Sequence, residues 1–475
     1  MKLKKILLLK ILIINLLIVA KAQTPTADSI FTLRNFLELI AENHPSVKQA
    51  NLLNRAAEAE LLAAKGGFDP KIYGDYEQKF FNKKTYFNVG EAGLKVPTWY
   101  GVEFKSSYSY ASGNFLNPND YLPSAGQGLL GISVPLLQGF AIDERRASLF
   151  KARQTQLLNA NERAVLLNDL AFSATQIYWK WAFYSENRRI FKEALRLAEA
   201  RFAVTKIAFE QGDRMAMDTL ESFIQVQDRQ VQLNEANLDA QEARLKLANF
   251  LWNNQNKPVP FSENITTSNL NKVETFPSSI ELSKSRLLID SIEDTHIILK
   301  TYNAKLAQLN IDKQLKREKL KPKLNLNYNV LSNGLAFNPL FTDNYKWGIS
   351  FSTSTLFRAE RGDVELAKIK IENTELLRGQ KAVELQNKLR LAINEVENLT
   401  QQVQLYTATV DNYRRLLALE SSRFQLGESS LFLLNSREVK LIEAQIKLAK
   451  FQAELYTAQA AVEWTAGRYG GLFNF

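Results

Sequence analysis

Downstream of Gly212 the chain places apolar residues at Ile224, Val231, Leu238 and Leu245, and a second set at Val226, Leu233, Ala240 and Leu247. Each set recurs every seven residues, the spacing that keeps a stripe straight along a supercoiled helix. The sets lie two residues apart, roughly 200° around a helix that turns about 100° per residue. A helix resting on one common core shows one apolar face. Apolar lines on opposite flanks mean neighbours on both sides. The pattern predicts a wall of helices, and a wall closed on itself is a barrel with a polar inside.

The same pattern returns 215 residues later, where Val439, Ile446, Ala453 and Ala460, and Leu441, Leu448, Leu455 and Val462, follow Gly427. Phe209-Glu210-Gln211-Gly212 then corresponds to Phe424-Gln425-Leu426-Gly427. An offset of 252 carries His44 to His296, Lys48 to Lys300, and Pro70-Lys71-Ile72 to Pro322-Lys323-Leu324. Gly131-Ile132-Ser133 matches Gly348-Ile349-Ser350 at 217. The ordered anchors identify a duplicated chain. The fall from 252 to 217 puts about 35 extra residues in the first copy, over Asn82 to about Leu116, as an extra strand or an external loop.

Helices are expected over 30–65, 143–208 and 213–252 in the first repeat (23–252), and over 280–320, 363–425 and 428–466 in the second (280–475). Asp143 to Ala208 holds no glycine or proline over 66 residues, about 100 Å at ~1.5 Å each. Gly212 and Gly427 sit where a left-handed residue ends a helix cheaply. Residues 253–279, rich in Asn, Thr, Ser and Pro, read as a linker. The long helix outruns its return, so 30–65 should stack end to end above 213–252, and 280–320 above 428–466.

Strands are expected within 70–137 and 322–356. Leu324-Asn325-Leu326-Asn327-Tyr328-Asn329-Val330 alternates strictly, and Val102 to Lys105, Leu130 to Val134 and Trp347 to Ser352 behave likewise. A soluble sandwich and a membrane barrel with lipid outside and water inside both fit this period. Only the helices favour the barrel. Trp99, Tyr100, Tyr108, Tyr110 and Trp347 could form interfacial girdles.

Composition narrows the chemistry. Without cysteine and with two histidines, disulfide scaffolds, thiol catalysis, zinc fingers and most His-based metal sites fall away. His44 and His296 recur at the duplication offset, which common ancestry explains more simply than a metal pair. No cofactor or metal site is expected. No nucleophile elbow, phosphate loop or zinc-protease motif occurs, so no enzyme is expected. Of the net charge of +10, five lysines lie within residues 1–22, leaving a mild +5 over the remainder. No basic patch interleaved with aromatics points to nucleic acid. Met1 to Ala22 reads as a signal peptide, with Lys2, Lys4 and Lys5, an apolar run, and Ala20-Lys21-Ala22 before the cut. The mature chain should therefore be exported.

Signal, helix, strands, long helix, glycine turn and returning helix, all given twice, resemble the TolC-like outer membrane efflux proteins. The residues that carry the likeness are the turns Phe209–Gly212 and Phe424–Gly427, Asn43-His44-Pro45-Ser46-Val47, and Ile132-Ser133-Val134-Pro135-Leu136-Leu137-Gln138-Gly139-Phe140. The resemblance implies a homotrimer with four strands per protomer, forming a transmembrane β-barrel in the outer membrane and an α-helical barrel across the periplasm. It further implies that the helix tips dock a periplasmic adaptor (a membrane fusion protein) fed by an inner-membrane transporter, in drug efflux or type I secretion. Gly212, Asp213, Arg214, Gly427, Glu428 and Ser429 would form those tips.

The resemblance also implies acids six and nine residues after the second turn glycine. Here Leu433 and Ser436 stand there, whereas Asp218 and Glu221 keep the places in the first copy. A pore constriction would have to be built from Asp218 and Glu221. The competing reading is an exported coiled-coil scaffold of the cell envelope, which would need neither the strands nor two apolar lines per helix.

Overall fold

The computed structural model describes residues 30–118, 121–262, 265–267, 270, 282–336 and 343–473. The expected signal peptide, part of the expected linker and the start of the helix expected from 280 lie outside the described residues. In chain order the elements are β1 (Ile30–Phe31), α1 (Leu33–Asn43), α2 (Pro45–Lys65), β2 (Lys71–Phe81), β3 (Lys84–Pro97), β4 (Glu103–Ser112), β5 (Gln127–Pro135), α3 (Glu144–Glu210) and α4 (Ala216–Ala248). The expected linker holds β6 (Thr266–Thr267), and the second copy gives α5 (Leu282–Thr295), α6 (Ile297–Glu318), β7 (Lys323–Asn333), β8 (Tyr345–Ser352), α7 (Arg358–Gln425) and α8 (Leu431–Thr465).

The helix expected over 30–65 is two helices. Pro45 lacks an N–H to continue α1 and is tolerated at the first position of α2. His44 stands between them at φ −65°, ψ 133°, its Nδ1 accepting from the Ser46 N–H at 3.1 Å. His296 does the same between α5 and α6 at φ −69°, ψ 130°, accepting from the Ile298 N–H at 3.1 Å, although Ile297 replaces the proline. The two histidines are helix N-caps kept through the duplication. Among the described residues no cluster of metal-ligating side chains occurs.

α3 and α7, of 67 and 68 residues, are the continuous helices of the two copies. Neighbours are arranged α2–α3–α6–α7 in the layer next to the sheet and α4–α3–α8–α7 in the layer beyond it. Each short pair is stacked end to end. His44 stacks on Phe250 at 5.6 Å, and the Lys48 ammonium reaches Asn256 at 2.6 Å, joining the start of α2 to the end of α4. His296 Nε2 meets the Thr465 carbonyl at 3.0 Å, joining α6 to α8.

The largest buried cluster sits where the layers meet. Phe36, Ile40, Tyr178, Trp181, Leu247 and Phe261 pack there, and the buried Tyr178 hydroxyl donates to the Phe31 carbonyl at 2.7 Å. The described part of the expected linker is not a detached spacer in this fold. Phe261, Ile265 and Leu270 are buried, and β6 pairs in parallel with β1.

Six strands form one antiparallel sheet in the order β2-β3-β4-β5-β7-β8. The four strands per protomer that the resemblance implied are thereby corrected to six. The extra residues of the first copy are β3 and β4, not an external loop. No helix among the described residues is long and apolar enough to cross a membrane.

Candidate functional site

Two regions carry the functional geometry, the sheet at one end and the glycine turns at the other. In an antiparallel sheet directly paired residues share a face. Register therefore sorts the sheet into two surfaces. Val96 pairs Phe104, which pairs Ile132, which pairs Tyr328, which pairs Trp347. Leu130 likewise pairs Val330, and Val330 pairs Tyr345. Ile72, paired with Leu94, extends this apolar face to β2, where it is 87% exposed. Polar interruptions on this face are Ser106 at mid-strand, between Leu94 and Leu130, and Gln78, Asn88 and Ser112 towards the end remote from the helices.

The opposite face is polar and internally paired. Tyr73 donates to Glu91 at 2.6 Å, Lys105 bridges Glu91 at 2.8 Å, and the Lys95 ammonium lies 4.6 Å from the Tyr73 ring centre. Asn325, Asn327 and Asn329 continue this face on β7. Leu129 and Leu331, paired with one another, are apolar exceptions on it. Apolar residues on one surface and ion pairs and asparagines on the other suit a sheet between lipid and water.

The passage from sheet to helix is fixed by Arg146, which is buried. Its guanidinium donates to the Phe140 carbonyl at 3.0 Å and the Gly139 carbonyl at 2.5 Å, while Asp143 caps α3 by accepting from the Arg146 N–H at 2.8 Å. Gly139 has φ +88°, a conformation that favours glycine. This turn is the physical content of the Ile132–Phe140 segment.

At the other end the two turns are copies. Gly212 has φ +83° and Gly427 φ +79°. Asp213 N–H bonds to the Ala208 carbonyl at 2.8 Å, and Glu428 N–H to that of Arg423 at 2.9 Å, the closing bond of a glycine C-cap in each case. Asp213 and Glu428 are exposed at the tips and Ser429 is half-buried. The Arg214 guanidinium lies 4.4 Å over the Phe424 ring and bonds the Phe424 carbonyl at 3.4 Å, binding one tip to the other. Ser429 donates to the buried Glu420 at 2.5 Å.

Asp218 lies in the first turn of α4. Glu221, one turn on, faces α8 and accepts from Asn435 at 3.2 Å. Asn435 in turn accepts from Arg201 at 2.9 Å, and Arg201 also pairs with the buried Glu438. Glu221 thus belongs to a staple across α4, α8 and α3. Sequence reasoning missed Arg201, Glu420, Asn435 and Glu438. The available signal was an acid or amide at positions that α7 and α8 bury.

Residues 288–468 match the family described as outer membrane efflux protein. No curated protein sequence matches the chain. Among solved structures, the chain is similar to the Campylobacter jejuni CmeC outer membrane channel, with 15% identity, a TM-score of 0.63, and 92% of this chain and 86% of that one covered. The open state of the Neisseria gonorrhoeae MtrE outer membrane channel gives 15% identity, a TM-score of 0.62 and coverages of 92% and 88%. The outer membrane protein VceC of Vibrio cholerae gives 12%, 0.62, and coverages of 92% and 96%. Residues 288–468 thus match the outer membrane efflux protein family, and the fold shared with the outer membrane channels covers about nine-tenths of the chain.

Proposed function

We propose that three copies of this chain close into a passive exit duct, with the sheet in the outer membrane and the helices crossing the periplasm. The observation that carries this reading is a pair of unpartnered apolar lines at opposite edges of the wall. On α4, Ile224, Val231, Leu238 and Leu245 are 44–66% exposed. On α7, Ile369, Leu376, Val383, Leu391, Leu405 and Leu419 are 53–67% exposed, within one stripe. The interior helices α3 and α8 have neighbours on both flanks, so the two lines are what a second copy would cover. A soluble scaffold accounts for these lines but not for a sheet whose apolar face is covered by no element among the described residues.

The protein works without catalysis in this reading, since a duct supplies only a path. Energy comes from an inner-membrane transporter, and a periplasmic adaptor meets the tips at Gly212, Asp213, Arg214, Gly427, Glu428 and Ser429. Asp218 and Glu221 from three protomers stand near the opening and favour cations there. The carrying experiment is planar-bilayer recording on size-fractionated protein in detergent. Conductance should elute with the trimer, and a conducting monomer would refute the reading.

A further inference from the structure

In the second copy, β7 pairs directly with β8. The corresponding strands of the first copy are β2 and β5, by the offsets that relate Lys71 to Lys323 and Gly131 to Gly348. They do not touch. β3 and β4 lie between them, hydrogen-bonded along their length to β2, to each other and to β5. The inserted hairpin is part of the wall.

Its chemistry agrees with its place. Leu94, Val96, Phe104 and Tyr108 lie on the apolar face, and Glu91 and Lys105 pair on the polar one. At 14 and 10 residues, β3 and β4 are as long as their neighbours, and spanning a membrane takes about 9–11 residues. Asn82 and Lys83, at φ 50° and 59°, make a two-residue turn that holds β2 against β3 without a loop.

Two edges remain, β2 and β8. Hydrocarbon leaves no partner for an open edge, so a membrane sheet must close. Six alternating strands leave β2 and β8 running in opposite directions. β8 of one copy can therefore pair antiparallel with β2 of the next without any change of sense. We propose that the trimer closes an eighteen-stranded barrel, in which β8 of each protomer pairs with β2 of its neighbour. This rests on the trimeric reading and adds the strand count and the edges that meet.

Strands about 4.8 Å apart and tilted by about 40° give eighteen strands a diameter of about 36 Å across the backbone, against about 24 Å for twelve. The outer membrane end is then an aqueous passage of porin width.

The chain has no cysteine, so introduced thiols report cleanly in full-length protein in membranes. Three double variants decide the question. Leu238→Cys with Leu405→Cys, joined by a short bismaleimide, reads the helical edge between protomers. Ile72→Cys with Ile349→Cys, oxidised, reads β2 against β8. Gly74→Cys with Ile132→Cys reads direct β2–β5 contact, since these positions correspond to the paired Leu326 and Ile349. The first two should each give a ladder up to trimer, with the β2–β8 pair scanned by two residues to find its register, and the third should give no intrachain disulfide. A helical ladder with no β2–β8 product at any register overturns the eighteen-stranded barrel alone. A β2–β5 disulfide overturns it too, by placing the hairpin outside the wall. No helical ladder overturns the trimer itself.

Discussion

Replacing Val231 and Leu238 together by asparagine should dissolve the assembly while sparing the chain. Leu238 is 66% exposed and Val231 56% exposed on the single chain, so neither supports its own fold strongly, and such surface changes shift stability by about 0.5 kcal/mol or less. Full burial of a Val or Leu side chain contributes roughly 1.5–3 kcal/mol. The share still exposed here is more than half, which gives about 1–2 kcal/mol each and about 2–4 kcal/mol per protomer contact. At about 1.4 kcal/mol per tenfold, each contact weakens roughly 30- to 1,000-fold. Three contacts close the ring, so loss of one favours loss of all. The assay is sedimentation of detergent-solubilised protein over a concentration series, with helix content followed by circular dichroism. A folded double variant that remains trimeric at the dilution where wild type does would refute the claim that this line is the interface.

His296→Asn should keep a capping oxygen for Ile298 but lose the bond to Thr465, costing about 1 kcal/mol. Burial holds the His296 imidazole below its ordinary 6.5, against the opposing pull of the Thr465 carbonyl. The stability this neutral ring contributes is complete above 6.5 and lost as pH falls from there through the depressed value; melting from pH 7.5 to 5.5 should slope less in the variant than in wild type. Burial raises the nearby Glu463 carboxyl, which favours the folded state as pH falls, and the wild-type-minus-variant difference removes that contribution. Gly212→Ala and Gly427→Ala should each cost about 1–2 kcal/mol from backbone strain alone, because a Cβ meets nothing within 4 Å at either place; hydrogen exchange should rise at the tips and not at Trp181. Asp218→Ala with Glu221→Ala should shift the reversal potential under a salt gradient towards zero, and an unchanged value would remove the acidic opening. Tyr178→Phe should cost about 1–3 kcal/mol in thermal unfolding, because the Phe31 carbonyl is left buried without its donor.

The wall of helices was legible because its signal is local and long. A seven-residue period over four turns or more averages out single exceptions, and the 215-residue offset placed both tip glycines, Gly212 and Gly427, at once. The break at His44 was carried by Pro45, yet the second break, at His296, has no proline to mark it and shows only through the duplication. The strand count was harder. The turn at Asn82-Lys83 contains no glycine, and Lys71–Phe81 lacks strict alternation, so the boundary between β2 and β3 left no clear mark. The staple from Arg201 to Glu438 joins residues 237 apart. Nothing in either neighbourhood names the other, because such a pair is set by how two helices come to lie side by side.

The end-to-end junctions capped by His44 and His296 have a mechanical consequence. Each repeat holds one unspliced beam, α3 or α7, beside a column cut once and closed by an imidazole cap. Twist applied at the tips travels up α3 to the turn held by Arg146, and up α7 to the turn at Phe357, and so into the sheet. The spliced columns add little torsional stiffness, because a joint of a few hydrogen bonds and one ring stack can shear. Give at a joint is therefore felt first in α4, the edge column below its joint, whereas α8 is held between α3 and α7, so the wall is more compliant along one lower edge than next to the sheet.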